Sequence, residues 1–165
     1  MLVLGIDPGL SRCGYSAILQ GSQPRAMAAG VITTDAQAET PIRLAELQTE
    51  IRDFIGELQP EVVAVERLLF QHNIRTAVSV AQAMGVVMAE AVAAGCAVFE
   101  YSPNEVKLAV AGYGSAGKEE VAVMVKHLLA LKHQLRPADA ADAAAVALCH
   151  LARLPSRVTR SRVTR

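Results

Sequence analysis

The spacing of apolar positions changes period along the chain, and each change marks an element. Residues 2–6, Leu-Val-Leu-Gly-Ile, form an apolar run closed by Asp7-Pro8-Gly9, which predicts a buried strand ending in a turn. Residues 14–19 predict a second strand, and the gap is too short for a crossover helix, so the two pair antiparallel. Residues 26–33 continue the meander. Pro41 opens a helix to about Leu58, with Leu44, Leu47, Ile51, Phe54, Ile55 and Leu58 at helical spacing, and Pro60 stops it. Residues 62–65, Val-Val-Ala-Val, are the cleanest buried strand, and they run directly into Glu66. An Ala/Val/Met-rich helix follows from about Ile74 to Ala94 and ends at Gly95. A strand at 96–101, a short helix at 103–111, a glycine-rich loop at 112–117 and a helix at 118–131 come next. The last helix runs from Ala138 to about Leu154, between Pro137 and Pro155.

The order β-β-β-α-β-α-β-α-α-α predicts an α/β fold, a mixed five-stranded sheet with helices on both faces. Residues 1–154 read as one domain, and 155–165 as a basic tail. The composition, 52% hydrophobic and 19% charged over 165 residues, excludes wholesale disorder. An aromatic content of 4%, without Trp, argues against a surface built on base stacking. The net charge of zero conceals an asymmetry: all 16 acids lie at or before Asp142, whereas five of the 16 basic residues lie from Arg153 onward. The tail repeats Ser-Arg-Val-Thr-Arg twice, with Arg157, Arg160, Arg162 and Arg165. Lacking either period, it reads as a disordered arm for nucleic acid or an acidic membrane surface.

Cys13, Cys96 and Cys149 form no CxxC pair, and the four histidines form no HxxxH pattern, so a disulfide framework or zinc site is not indicated. These residues read as packing or surface positions. The chain opens with no charged-then-apolar leader and contains no window long enough to span a membrane. A soluble cytoplasmic protein is expected.

Four acids stand where structure alone gives them little reason to be. Asp7 and Glu66 close two apolar strands, at the end where ligand sites in such sheets lie. Asp139 and Asp142, three apart at the start of an alanine-rich helix, project within ~60° of one another. If the first and fourth strands are neighbours, Asp7 and Glu66 converge, and the last helix brings its pair to them. Such a cluster repels itself unless cations hold it together. An all-oxygen donor set suits Mg²⁺ or Mn²⁺. Two such ions ~3.5–4 Å apart can activate a water and stabilise the leaving 3′-oxygen of a phosphodiester. Taken singly, each acid also has a local reading: Asp7 as a turn residue, Asp139 as a charge favoured at a helix N-terminus.

Residues 112–118, Gly-Tyr-Gly-Ser-Ala-Gly-Lys, match the phosphate-loop pattern up to its lysine, but Glu119 stands where Ser or Thr is required. A carboxylate there repels phosphates, and a helix rather than a strand precedes the loop, so an ATP site is not expected. Lys118 and Lys107 are candidates to point into the acidic site, or else solvated surface charges. Leu68-Leu69-Phe70 is unusually apolar for a loop and reads either as a wedge for DNA or as a packed turn.

Together these segments resemble the RuvC family of Holliday junction resolvases. Gly5-Ile6-Asp7-Pro8-Gly9 with Gly14-Tyr15, Ala64-Val65-Glu66, Gln82-Ala83-Met84-Gly85, Phe99-Glu100-Tyr101, residues 112–118 and the run from Ala138 to Ala143 look like the family's landmarks in order. The likeness covers about residues 1–154. It implies a ribonuclease-H-like fold, a homodimer, and Mg²⁺-dependent nicking of two like-polarity strands of a four-way junction, during recombination and repair. By matching position, Asp7, Glu66, Asp139 and Asp142 would be catalytic and metal-binding, with two ions per site. Lys107 and Lys118 would face the scissile phosphate. A branch-migration motor of the RuvA and RuvB type is the implied partner. The family often carries an aromatic near position 69. Here Leu69 occupies it and Phe70 follows, so either is a candidate for the junction centre. The arginine repeat matches no motif of the family.

Two other readings remain open on the residues alone: a ribosomal-RNA-processing nuclease of related fold, and a non-catalytic junction-binding module. Glu66 directly after its strand and the Asp139/Asp142 pair favour the resolvase over the first. The complete carboxylate set argues against the second.

Overall fold

A computed structural model of the chain describes residues 1–67 and 74–154. Within these residues five strands form one sheet: β1 (Leu2–Asp7), β2 (Arg12–Leu19), β3 (Arg25–Thr33), β4 (Val62–Glu66) and β5 (Ala97–Tyr101). Its order is β3-β2-β1-β4-β5. The meander β1–β2–β3 is antiparallel, whereas β1–β4 and β4–β5 are parallel. Among the described residues five helices complete the fold: α1 (Thr40–Leu58), α2 (Ile74–Ala93), α3 (Pro103–Ala111), α4 (Lys118–Leu128) and α5 (Ala138–Arg153). The α/β architecture and the order of elements are those the apolar pattern predicts.

The period-2 alternation of the central strands sorts their side chains between two cores. Val3, Val62 and Ala64 pack on one face, with α3, α4 and α5. Leu4, Ile6, Val63 and Val65 pack on the other, against Leu47, Ile51 and Ile55 of α1 and Ala83, Val87 and Ala91 of α2. The inner strands are buried on both faces, which is why they read as continuous apolar runs rather than as alternating ones.

Two boundaries differ from expectation by two residues or more. β2 begins at Arg12 rather than at 14, because residues 12 and 13 already pair with Thr33 and Ile32 of β3. α4 ends at Leu128 rather than 131, and Ala130 takes a left-handed φ of 50°. No helix among the described residues is long and apolar enough to cross a membrane.

Candidate active site

The alternation that sorts the core also aims the strand-end acids. Asp7 follows Val3 and Gly5 at even spacing, and Glu66 follows Val62 and Ala64, so both carboxylates fall on the α5 side of the sheet. β1 and β4 are parallel neighbours with Ile6 opposite Val65, which brings Asp7 and Glu66 to the same end of adjacent strands. The convergence conditional on that adjacency is therefore met.

α5 can reach this point because nothing bulky separates it from the sheet. Five of its first six buried residues, from Ala140 to Val146, are alanine. Beneath it β1 and β2 present glycine: a Cβ on Gly5 would meet the Ala143 carbonyl oxygen at 2.1 Å, and one on Gly14 the Asp139 carbonyl oxygen at 2.2 Å. Gly14 is also the residue paired with Asp7 across the β1–β2 ladder. Backbone therefore packs on backbone, and the first turns of α5 lie over the carboxyl end of β1.

The result is a pocket of about 280 Å³ whose polar wall is Asp7, Glu66, Asp142, Lys107 and Lys118. Lys107 comes from α3 and Lys118 from the first position of α4, and apolar side chains of α3, α4 and α5 complete the lining. A reciprocal capping box between Ser102 and Glu105 fixes the start of α3, and Arg153 of α5 pairs with Glu105 at 2.8 Å. Glu120 accepts the Gly117 backbone N–H at the start of α4.

Burial, reinforced by the charges of Glu66 and Asp142, pushes the Asp7 carboxyl up to about 7, although Lys118 pulls the other way. Glu66 is raised too, chiefly by burial and then by Asp142. Lys118 donates to Asp142 at 3.2 Å and is held in its charged form by it. Among the described residues neither Asp7 nor Glu66 has an ion pair of its own.

Of the residues singled out in the sequence, Asp7, Glu66, Asp142, Lys107 and Lys118 come together in this pocket. Asp139 does not line it. The 3.6-residue period places Asp139 and Asp142 on neighbouring directions of α5, but the helix crosses the sheet so that only Asp142 faces the pocket, while Asp139 accepts from Arg12. Leu69 and Phe70, and Arg157, Arg160, Arg162 and Arg165 with the rest of the tail, lie outside the described residues. The phosphate-loop likeness at 112–118 follows helix α3 rather than a strand, and its lysine pairs with a carboxylate. Arg12 was not singled out. Its signal was position: two residues before Gly14, on the same face of β2.

All the carboxylate donors are oxygens, and their mutual repulsion shows in the raised Asp7, so the donor set suits a hard divalent cation. Among the described residues no three or more Asp, Glu, His or Cys side chains stand drawn together as a metal centre. Asp142 rests on Lys118, and Asp139 on Arg12.

Three comparisons bear on this arrangement. Residues 3–150 match the family model described as crossover junction endodeoxyribonuclease RuvC. A crossover junction endodeoxyribonuclease RuvC of Moorella thermoacetica is 48% identical over 158 residues, covering 95% of each chain. One of Syntrophomonas wolfei is 46% identical over 152 residues, covering 92% of this chain and 88% of its own. The fold superposes with a TM-score of 0.86 and 38% identity on Thermus thermophilus RuvC in complex with a Holliday junction substrate, covering 91% of this chain and 92% of the other.

Proposed function

The chain belongs to the RuvC family of crossover junction endodeoxyribonucleases, and from that premise we propose how its own residues carry out the reaction. The protein is a structure-selective DNA endonuclease that resolves four-way junctions, and its fold is ribonuclease-H-like. Neither ribosomal-RNA processing nor a non-catalytic binding role is favoured by a family match of this extent.

The observation that carries the mechanistic reading is the convergence of Asp7, Glu66 and Asp142 with Lys107 and Lys118 on one pocket at the carboxyl ends of β1 and β4. Nucleases of this family are metal-dependent. Asp7, Glu66 and Asp142, joined by Asp139, are the residues that would hold the ions, proposed as two Mg²⁺ with Mn²⁺ able to substitute. When bound, such a pair activates a water for in-line attack on phosphorus and stabilises the departing 3′-oxygen. Lys107 and Lys118 place positive charge against the scissile phosphate, in a pocket otherwise hostile to it. The apolar wall contributed by α3, α4 and α5 limits bulk water around the reacting group. The products are nicks with 5′-phosphate and 3′-hydroxyl ends, which a ligase can seal directly.

Two like-polarity strands are cut in this reading by two copies of the chain, because a two-fold dimer presents identical sites to a pseudo-symmetric junction. Leu69 or Phe70 acts at the junction centre, the tail arginines contact backbone phosphates, and a RuvA- and RuvB-type motor supplies the junction in the cytoplasm. The deciding experiment incubates purified protein with a synthetic four-way junction, with and without Mg²⁺ or Mn²⁺, and maps every cut. Paired nicks at equivalent positions on opposed strands, present only with the divalent ion, are expected. Robust cutting in a chelator, or unrelated cuts by a monomer, overturns the reading.

A further inference from the structure

The two acids of α5 are held by their cationic partners in different ways. Lys118 and Asp142 both line the pocket, so their pairing keeps that carboxylate inside. Arg12 does the opposite. It lies on β2 two residues before Gly14, the residue that gives Asp139 its clearance over the sheet. From there its Nε and Nη2 both donate to Oδ2 of Asp139, at 3.2 and 2.7 Å. That fork holds the carboxylate outside the pocket lining and below the usual carboxylate range. Asp139 remains near enough for its charge to act on Asp7.

The pair is also weak. The Arg12 side chain is 50% exposed and that of Asp139 29%. An exposed pair of this kind favours its closed arrangement by no more than about fivefold. A guanidinium fork suits one competitor particularly well, since it matches the oxygens of a phosphodiester as closely as those of a carboxylate. Because Gly14 pairs with Asp7, the Arg12 end of β2 lies beside the carboxyl end of β1, where a strand laid into the pocket would bring such phosphates.

We propose that Arg12 is a positioning residue that parks Asp139 beside the pocket in the free protein and passes to a backbone phosphate of bound DNA, which releases Asp139 to complete the carboxylate set. The inference rests on the reading of the pocket as a divalent-cation site. It makes assembly of the site depend on substrate: the fourth carboxylate arrives only when DNA has taken its partner.

Calorimetric titration of DNA-free protein with Ca²⁺ tests it without recourse to cleavage. Arg12→Gln should bind Ca²⁺ up to about fivefold more tightly than wild type. Asp139→Asn alone should bind within about twofold of wild type, because the parked carboxylate acts on the site only weakly and from outside it, and the double variant should lose the gain. Arg12→Lys keeps the charge without the fork and should fall between. With junction bound, Arg12→Gln should make the salt dependence of affinity shallower by ~0.9 log units per log unit of salt, the loss of one phosphate contact. Unchanged Ca²⁺ affinity in Arg12→Gln overturns the proposal. So does a gain that survives in the Asp139→Asn background, which would mean that Arg12 acts through its charge alone. If Asp7→Asn also binds Ca²⁺ as wild type does, the cation-site reading itself fails and takes this inference with it.

Discussion

Asp7→Asn should make the metal-free protein more stable while abolishing nicking, and the gain should depend on pH. A carboxyl whose ordinary value is 3.8 is raised in the folded chain to about 7, by burial first and then by Glu66 and Asp142. The folded state therefore prefers the neutral form, and the contribution of this group to stability is complete below 3.8 and lost as pH rises through about 7. At 1.36 kcal/mol for each tenfold change in proton affinity, full ionisation costs up to about 4 kcal/mol. Near pH 5 only the first ~1.6 kcal/mol of that has been lost, so the advantage of the Asn variant should widen by about 2–3 kcal/mol between pH 5 and pH 8. Comparing variant with wild type at each pH cancels the titration of distant groups. Urea melts in chelator at pH 5, 6, 7 and 8 measure the difference directly, read as midpoint shifts at constant slope. Added Mg²⁺ should then reverse the order, because the cation stabilises the wild-type cluster more than one lacking a carboxylate. An advantage that stays flat across this range would refute the account of Asp7 as a buried, mutually repelling acid.

Further outcomes follow from the same geometry. Glu66→Gln should abolish nicking yet leave junction binding intact in a gel-shift assay, since phosphate contacts dominate affinity and a lost negative charge does not weaken them. Gly5→Ala should destabilise the fold by about 1–3 kcal/mol or more in thermal melts, because its Cβ would meet the Ala143 carbonyl oxygen at 2.1 Å and drive α5 off the sheet. Tyr101→Phe removes the 2.8 Å hydrogen bond to Nδ1 of His150, a residue only 3% exposed whose Nε2 has no partner among the described residues. The loss should be about 1–3 kcal/mol by urea melt, with cleavage of bound junction unchanged. Truncation after Pro155 should weaken junction binding at low salt and flatten its salt dependence, whereas superimposable slopes would show that the tail arginines take no part.

The element order, the α/β class and the convergence of Asp7 with Glu66 were legible because each depends on local pattern plus one adjacency. Apolar runs that end in an acid mark a strand whose last side chain leaves the core, and the parallel pairing of β1 with β4 does the rest. The separation of Asp139 from Asp142 was not legible. Helical periodicity gives the angle between two side chains, but which of them faces a neighbouring pocket depends on how the helix crosses the sheet, and that is set by Gly5 and Gly14 against the alanines of α5. Arg12 was missed for a related reason. Its strand starts two residues earlier than the apolar pattern suggests, through pairing with β3, a contact between distant parts of the chain. The early end of α4 at Leu128 lies against a run of residues that are all acceptable in a helix, and only the left-handed Ala130 marks the stop.

The two cores lie on opposite faces of the sheet, and this divides the molecule into a half that must stay fixed and a half that is free to drift. On the α5 side the helix meets Gly5 and Gly14 backbone on backbone, at Ala143, Ala147 and Asp139, so a side chain added at those crossings displaces a carboxylate. On the α1–α2 side most of the contacts involve Leu, Ile and Val, which exchange volume among themselves at modest cost. Sequence diversity and thermal adaptation therefore have somewhere to accumulate without touching the chemistry. A designer seeking a hardier resolvase would randomise Leu47, Ile51, Ile55 and Val87 and leave Gly5, Gly14, Ala143 and Ala147 alone.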